Sequence, residues 1–170
     1  MPRSHKPRRR YVPKRIELDP IDLAISGAAL LQPEQRAQLI EPTRRAFADL
    51  RSGRGSEQAW RDMADACNVA EALAEQGIAN DHAEKFEGAQ VALADLHARV
   101  RATGRWTLRA AEIVALQDAM EIHEIQLEHA SQREIGRAIA TVRQRIGQAL
   151  AGNAPRDAIV CAGGLGGTAA

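Results

Sequence analysis

The sequence has few aromatic residues and no long apolar run. Aromatic side chains make up 3% of the 170 residues, whereas alanine alone accounts for 33 of them. Alanine is the best helix former, and aromatic residues are typical of strands. A membrane span needs roughly 18 consecutive apolar residues, and no stretch approaches that length. We therefore exclude a β-sandwich and a membrane partner, and we expect an all-α fold.

Cysteine is equally scarce. The two cysteines, Cys67 and Cys161, form no short pairing motif and no zinc-binding spacing. Small disulfide scaffolds and zinc sites both depend on such motifs. In addition, Asp19, Pro20 and Asp22 interrupt the apolar stretch that a secretory signal would need behind its basic region. We expect no disulfide framework, no metal, no cofactor and a cytoplasmic protein.

Positive charge is concentrated at the N-terminus. The chain as a whole has a formal net charge of +1, yet residues 1–15 carry seven cations and no acid, and the other 155 residues carry 16 cations and 22 acids. Salt screens charges over roughly 8–10 Å, so local charge decides what binds. Arginine can grip phosphate with two parallel hydrogen bonds. The predicted nucleic-acid-binding residues are Arg3, Lys6, Arg8, Arg9, Arg10, Tyr11, Lys14 and Arg15.

Composition divides the chain into three parts. Three prolines and like charges predict an extended, disordered arm over residues 1–18. Helical periodicity over residues 19–151 predicts a single bundle domain of five to six helices. Residues 152–170 are rich in glycine and have few side chains to bury, so we expect a disordered tail.

Capping residues and breaks subdivide the bundle. The expected helix starts are Asp19, Gln32, Ser56, Asn80 or Asp81, Thr107 and Ser131. Pro42 is expected to kink or restart its helix, because it lacks a backbone donor and clashes with the preceding turn. Ser131 and Glu134 fit a capping box, which favours two helices in residues 107–151. One continuous helix over that range is the alternative.

No constellation of side chains indicates catalysis. Neither a His-Glu-x-x-His motif nor a Glu-x-x-His motif is present, so we expect no enzyme. Glu124, Glu128 and His129 are conceivable metal ligands, but a solvated helix face explains them better. His123 falls on the apolar stripe of its helix. It is interpreted as a neutral core histidine with one hydrogen bond, and the alternative is a pH-sensitive or ligand-contacting group.

The last two predicted helices carry stripes of opposite charge. The fifth helix has acids at Asp118, Glu121, Glu124 and Glu128, and the last has a basic stripe of Arg133, Arg137 and Arg145. If the two helices form a hairpin, these faces would pair. The alternative is a secondary basic stripe that contacts phosphate or an acidic partner.

Several segments together suggest a family. These segments are Pro13-Lys14 with Asp19-Pro20, residues 68–73 (NVAEAL) and residues 104–108 (GRWTL). With them, the chain resembles small helical proteins encoded by temperate phages, prophages and related mobile elements. The resemblance covers most of residues 1–150 and not the tail. It implies the cytoplasm of a bacterial host. It transfers no functional residues, because the family has no established activity.

These observations predict a non-catalytic accessory protein that contacts DNA or RNA without sequence specificity through its arm. Its bundle would act as a protein-docking or dimerising platform. The alternative is an inhibitor or adaptor that binds a host factor through a face of the bundle, with the arm incidental.

Overall fold

The computed structural model describes Ala24 and residues 26–152, and it shows an all-α bundle. Its five long helices are α1 (Pro33–Arg51), α2 (Glu57–Glu75), α3 (Ala83–Thr103), α4 (Ala110–His129) and α5 (Gln132–Leu150). Ala24 and residues 26–28 are also helical. This part of the chain contains no strand, only an isolated bridge between Leu30 and Ser131. The predicted fold class is confirmed; the predicted arm and all but the first residue of the predicted tail lie outside the described residues.

Local chemistry sets the limits of α1 and α2 as expected. Pro33 occupies the first position of α1, where its missing N–H costs nothing. The Ser56 hydroxyl accepts a hydrogen bond of 3.2 Å from the main-chain N–H of Ala59, which caps α2. After α2, Gly77 takes a φ of +91°, the left-handed conformation that glycine tolerates.

Pro42 is predicted to kink or restart its helix, and the restart is wrong, because α1 runs from Pro33 to Arg51 with this proline inside it. Pro42 removes one donor from the helix. The residue is exposed, and so is Gln38, whose carbonyl loses that donor. Water can therefore satisfy the carbonyl, and the helix continues.

The predicted cap at Thr107 is also wrong, since α4 begins at Ala110. Tertiary contacts hold the preceding residues in an extended loop: the carbonyl of Thr107 accepts a hydrogen bond from Arg99 at 3.0 Å, and Leu108 is buried. Before α3, neither Asn80 nor Asp81 caps the helix. Residues 80–82 form a short 3-10 turn instead.

Two helices, rather than one, cover residues 107–151. Between α4 and α5, Ser131 donates from its hydroxyl and its main-chain N–H to Glu134, each at 2.7 Å. The Ser131 hydroxyl accepts a hydrogen bond from the N–H of Glu134 at 3.3 Å. The two hydrogen bonds from Ser131 lower the pKa of Glu134. The predicted capping box is confirmed.

Helix α2 lies at the centre and packs against the other four helices. Its small residues allow close approach, and two groups of buried side chains share it. The main core cluster lies around Trp60, Phe86, Leu93 and Leu116. The second core cluster joins Leu73 to α4 and α5.

Candidate polyanion-binding surfaces

The arm that carries the predicted nucleic-acid site lies outside the described residues. This applies to the whole set of Arg3, Lys6, Arg8, Arg9, Arg10, Tyr11, Lys14 and Arg15. Their role stays a prediction. The described residues show which charged side chains of the bundle are already paired with one another.

The basic stripe of α5 is mostly engaged within the bundle. Arg145 donates to both carboxylate oxygens of Glu75, at 2.7 and 2.6 Å, and lies 3.7 Å from Glu71. Arg133 donates to the carbonyl of Ala24 at 2.9 Å. Arg137 is exposed. The stripe therefore ties α5 to its surroundings at two of its three positions.

Helices α4 and α5 do not form the hairpin on which the predicted pairing depended, because α5 packs mainly on α2. Three of the four acids of α4 pair with other helices instead. Glu124 accepts two hydrogen bonds from Arg44 of α1, at 2.9 and 2.6 Å. Asp118 accepts one from Lys85 of α3 at 2.8 Å. Glu128 lies 3.4 Å from Arg36 of α1, so these ion pairs tie α4 to α1 and α3.

A second concentration of cations lies where the loop between α1 and α2 meets the loop between α3 and α4. A Cβ built on Gly55 would lie 2.6 Å from Leu50 Cδ2 and 2.8 Å from Trp106 Cβ, so the two loops are in close contact. Residues 51–56 and 99–109 contain six arginines and no acid. We call these residues the loop arginine cluster: Arg51, Arg54, Arg99, Arg101, Arg105 and Arg109.

Two acids next to the loops neutralise part of this cluster. Asp49 lies 3.7 Å from Arg54. Glu112 accepts hydrogen bonds of 2.7 and 2.6 Å from Arg99 and one of 2.7 Å from the main-chain N–H of Arg109. Burial raises the pKa of Glu112, but these hydrogen bonds outweigh it and hold the pKa below its usual value. No acid of the described residues lies within 4.0 Å of Arg51, Arg101 or Arg105.

A recess of about 460 Å³ opens at the same end of the bundle, lined by Arg99, Thr103, Arg105 and Thr107. The hydroxyl of Thr103 is used by the backbone, since it donates to the carbonyl of Arg99 at 2.8 Å and accepts from the N–H of Arg105 at 3.3 Å. The Arg105 guanidinium and the Thr107 hydroxyl make no hydrogen bond to another described residue. The recess therefore presents hydrogen-bond donors and positive charge.

The sequence carried a signal for this cluster that its prediction missed. The run from Arg99 to Arg109 has four arginines in eleven residues and no acid, which approaches the density of the arm, with seven cations in fifteen residues. What the sequence does not show is that Arg51 and Arg54 lie beside it, because the contact of Gly55 with Trp106 is made across the bundle.

His123 belongs to a buried hydrogen-bond network. Its Nδ1 lies 3.2 Å from the side-chain oxygen of Gln126, and the Gln126 amide nitrogen donates to the carbonyls of Ala70 and Ile78 at 3.0 and 2.8 Å. Since that oxygen can only accept, the proton is on Nδ1. Burial lowers the pKa of His123, which favours the neutral ring. The burial and the one hydrogen bond agree with the core interpretation; Gln126 is a residue of the network that sequence reasoning missed.

No group of three or more His, Cys, Asp or Glu side chains among residues 24 and 26–152 is arranged to hold a metal ion. Glu124 and Glu128, which were conceivable ligands, face arginines of α1 instead. None of the helices in this range is long and apolar enough to cross a bilayer. Comparison of the chain with family models, curated proteins and solved structures finds no match.

Proposed function

We propose that this chain is a non-catalytic accessory protein that contacts DNA or RNA through the cations of residues 1–15. The observation that carries the proposal is the separation of charge. The arm sequence has seven cations and no acid, while acids exceed cations in the rest of the chain. Phosphate backbones attract such a segment irrespective of base sequence, because counterions are released when it binds.

The ion pairs of the bundle support this proposal. Glu124, Asp118 and Glu75 each receive a hydrogen bond from a cation of another helix. An acid that is already paired gains less from a second cation. These three carboxylates are therefore poor partners for the arm.

The experiment replaces all seven cations of the arm with glutamine in the full chain. Binding of short duplex DNA and single-stranded RNA is then measured by fluorescence anisotropy at several salt concentrations. For the natural chain we expect a log–log salt slope on the order of −4 to −5 if about five phosphate contacts form. The variant should lose most of that slope. Equally weak binding by both proteins would contradict the proposal.

The biological setting is part of the proposal and depends on the resemblance to proteins of temperate phages and other mobile elements. It places the protein in a bacterial cytoplasm during occupancy by such an element. The genes that flank this one test the setting directly. Neighbours that encode replication, packaging or integration proteins would support it, and a chromosomal housekeeping operon would contradict it.

A second candidate function is that of an adaptor or inhibitor that binds a protein through the bundle. It is favoured by exposed apolar side chains on α4: Val114 is 59% exposed and Ile125 is 52% exposed. They are three helical turns apart and therefore lie on the same side of α4. Asp118 and Glu121 lie between them on that side, and the same face of α4 is a candidate surface for dimerisation.

Affinity capture from nuclease-treated bacterial lysate tests this candidate. The natural chain is compared with a Val114→Ser, Ile125→Ser variant, and both are also checked for self-association by light scattering. A protein or a dimer that the natural chain retains and the variant loses supports the docking surface. Capture of nothing, with a monomer at every concentration, contradicts it.

A further inference from the structure

We propose that the loop arginine cluster is a second nucleic-acid contact, which binds the phosphodiester backbone at the end of the bundle and separately from the arm. The inference rests on the proposed function, because it concerns the same class of ligand. The two contacts differ in location, because every residue of the loop arginine cluster belongs to the described bundle and not to the arm.

Charge distribution is the first argument. The six arginines of the cluster stand against three neighbouring acids, Asp49, Glu57 and Glu112, of which Glu57 pairs with Arg61. The other described residues carry nine cations and fifteen acids. The bundle is therefore positive at one end and negative over the remainder. A long polyanion approaching it is attracted to that end and repelled elsewhere.

Availability is the second argument. Most other cations of the described bundle are held by acids of a neighbouring turn or helix, as Arg44 is by Glu124 and Arg145 by Glu75. In contrast, Arg51, Arg101 and Arg105 are exposed and lie beyond 4.0 Å of every described acid. Their charges remain available to an external anion.

The recess supplies the third argument. Its volume of about 460 Å³ is typical of clefts that bind small groups, which span roughly 300–1,000 Å³. Arg99 is held in place by Glu112, and its Nη2 is also bonded to the carbonyl of Thr107. The guanidinium of Arg105 and the hydroxyl of Thr107 can donate to the oxygens of one phosphate. Arg51 and Arg54 flank the loop that Gly53 and Gly55 bring against Thr107 and Trp106, and Arg101 lies in the last turn of α3; these are the further cations at this end of the bundle.

A nucleic acid fits this surface better than an acidic protein does. The phosphates of a nucleic acid follow one another at regular spacing, and each accepts several hydrogen bonds. One phosphate can therefore bind in the recess while its neighbours contact the exposed arginines of the cluster. The half-buried Trp106 lies between Arg105 and Thr107. An aromatic ring beside phosphate-binding cations is typical of surfaces that contact single strands.

The test uses the full chain with Arg101→Gln and Arg105→Gln together. The matched control is Arg45→Gln with Arg143→Gln, which removes the same charge from exposed positions on α1 and α5. The probes are duplex DNA of random sequence and single-stranded RNA, each between about 50 and 200 mM salt. Circular dichroism melting confirms that all variants remain folded.

We expect the loop variant to bind about 5- to 50-fold more weakly at 0.1 M salt and its salt slope to be less steep by about 1–2. The control should bind like the natural chain. The intrinsic fluorescence of Trp106 should change when either probe binds, and Trp106→Phe should abolish that change, because Trp60 is buried.

The outcomes separate this inference from the proposed function. If the arm variant loses binding while the loop variant matches its control in affinity and slope, the cluster is not a contact and the proposed function stands. If the loop variant weakens binding whereas the arm variant does not, the cluster is the contact and the role of the arm fails. If the natural chain binds neither probe, both proposals are overturned.

Discussion

The side chain of Gln126 is fully buried, and its amide nitrogen donates a hydrogen bond of 2.8 Å to the main-chain carbonyl of Ile78. Through this bond, α4 holds the chain that leaves α2. The same amide bonds the carbonyl of Ala70, and its oxygen lies 3.2 Å from His123 Nδ1. One polar side chain thus satisfies buried groups on α2, on the turn that follows it and on α4.

Replacing Gln126 with leucine should lower the free energy of unfolding by about 1–3 kcal/mol, because buried polar groups lose their partners. Urea denaturation measures the change. Gln117→Leu on the same helix is the control, since Gln117 is exposed and bonds only Glu121 in the next turn. We expect the control to stay within about 0.5 kcal/mol of the natural chain. Equal effects of the two substitutions would argue against the network.

Stability should depend on pH through His123. Burial lowers the pKa of His123 in the folded protein below its ordinary value of 6.5. As the pH falls below 6.5, the His123 ring therefore binds a proton in the unfolded chain but not in the folded protein. The free energy of unfolding decreases as a result. The decrease continues until the pH reaches the lowered pKa of the folded state.

The variant His123→Leu should show a smaller decrease in stability than the natural chain over this pH range. His129→Gln is the control and should follow the natural chain, because His129 is exposed. Thermal melts at a series of pH values measure both. A pH profile that His123→Leu leaves unchanged would mean that this ring does not titrate with unfolding.

The pair of Arg99 and Glu112 should matter more to stability than an exposed ion pair does. The two side chains are 18% and 8% exposed. Arg99→Ala leaves a nearly buried carboxylate without its partner, and we expect a loss of about 2–3 kcal/mol in urea denaturation. The matched variant Arg45→Ala breaks a bridge of 2.8 Å to Glu41 in which Arg45 is 75% exposed, and it should cost less than about 0.5 kcal/mol.

Two glycines should respond to alanine in opposite directions. A Cβ on Gly55 would lie 2.6 Å from Leu50 Cδ2 and 2.8 Å from Trp106 Cβ, so Gly55→Ala should separate the two loops and cost about 1–3 kcal/mol. Gly88 lies within α3 and has nothing within 4 Å of such a Cβ. Gly88→Ala should therefore stabilise the protein by about 0.5–1 kcal/mol. Differential scanning calorimetry gives both signs.

Local signals in the sequence were sufficient for three of the helix starts. The proline at position 33, the hydroxyl of Ser56 and the capping box of Ser131 act on their own helices, so their effects do not depend on the rest of the fold. Thr107 fails as a cap because Arg99, eight residues earlier on the preceding helix, donates a hydrogen bond to its carbonyl. The residues next to Thr107 in the sequence do not predict that hydrogen bond.

For the same reason, the sequence did not predict which helices form ion pairs with each other. The acids of α4 and the arginines of α5 have complementary charges, yet Glu124 pairs with Arg44 and Arg145 pairs with Glu75. Complementary charge does not specify a partner when several helices offer it. Gln126 is different, because it lies three residues after His123 on the inward side of α4, so its spacing was a visible signal.

Because both core clusters draw on α2, neither can persist once that helix is lost, and the molecule should melt in a single cooperative transition. Helix α5 packs mainly on α2 and is the element that can detach while the main core cluster stays intact. Amide hydrogen exchange would then divide the fold into a slow-exchanging nucleus of α1, α2, α3 and α4 and a last helix that opens and closes against it.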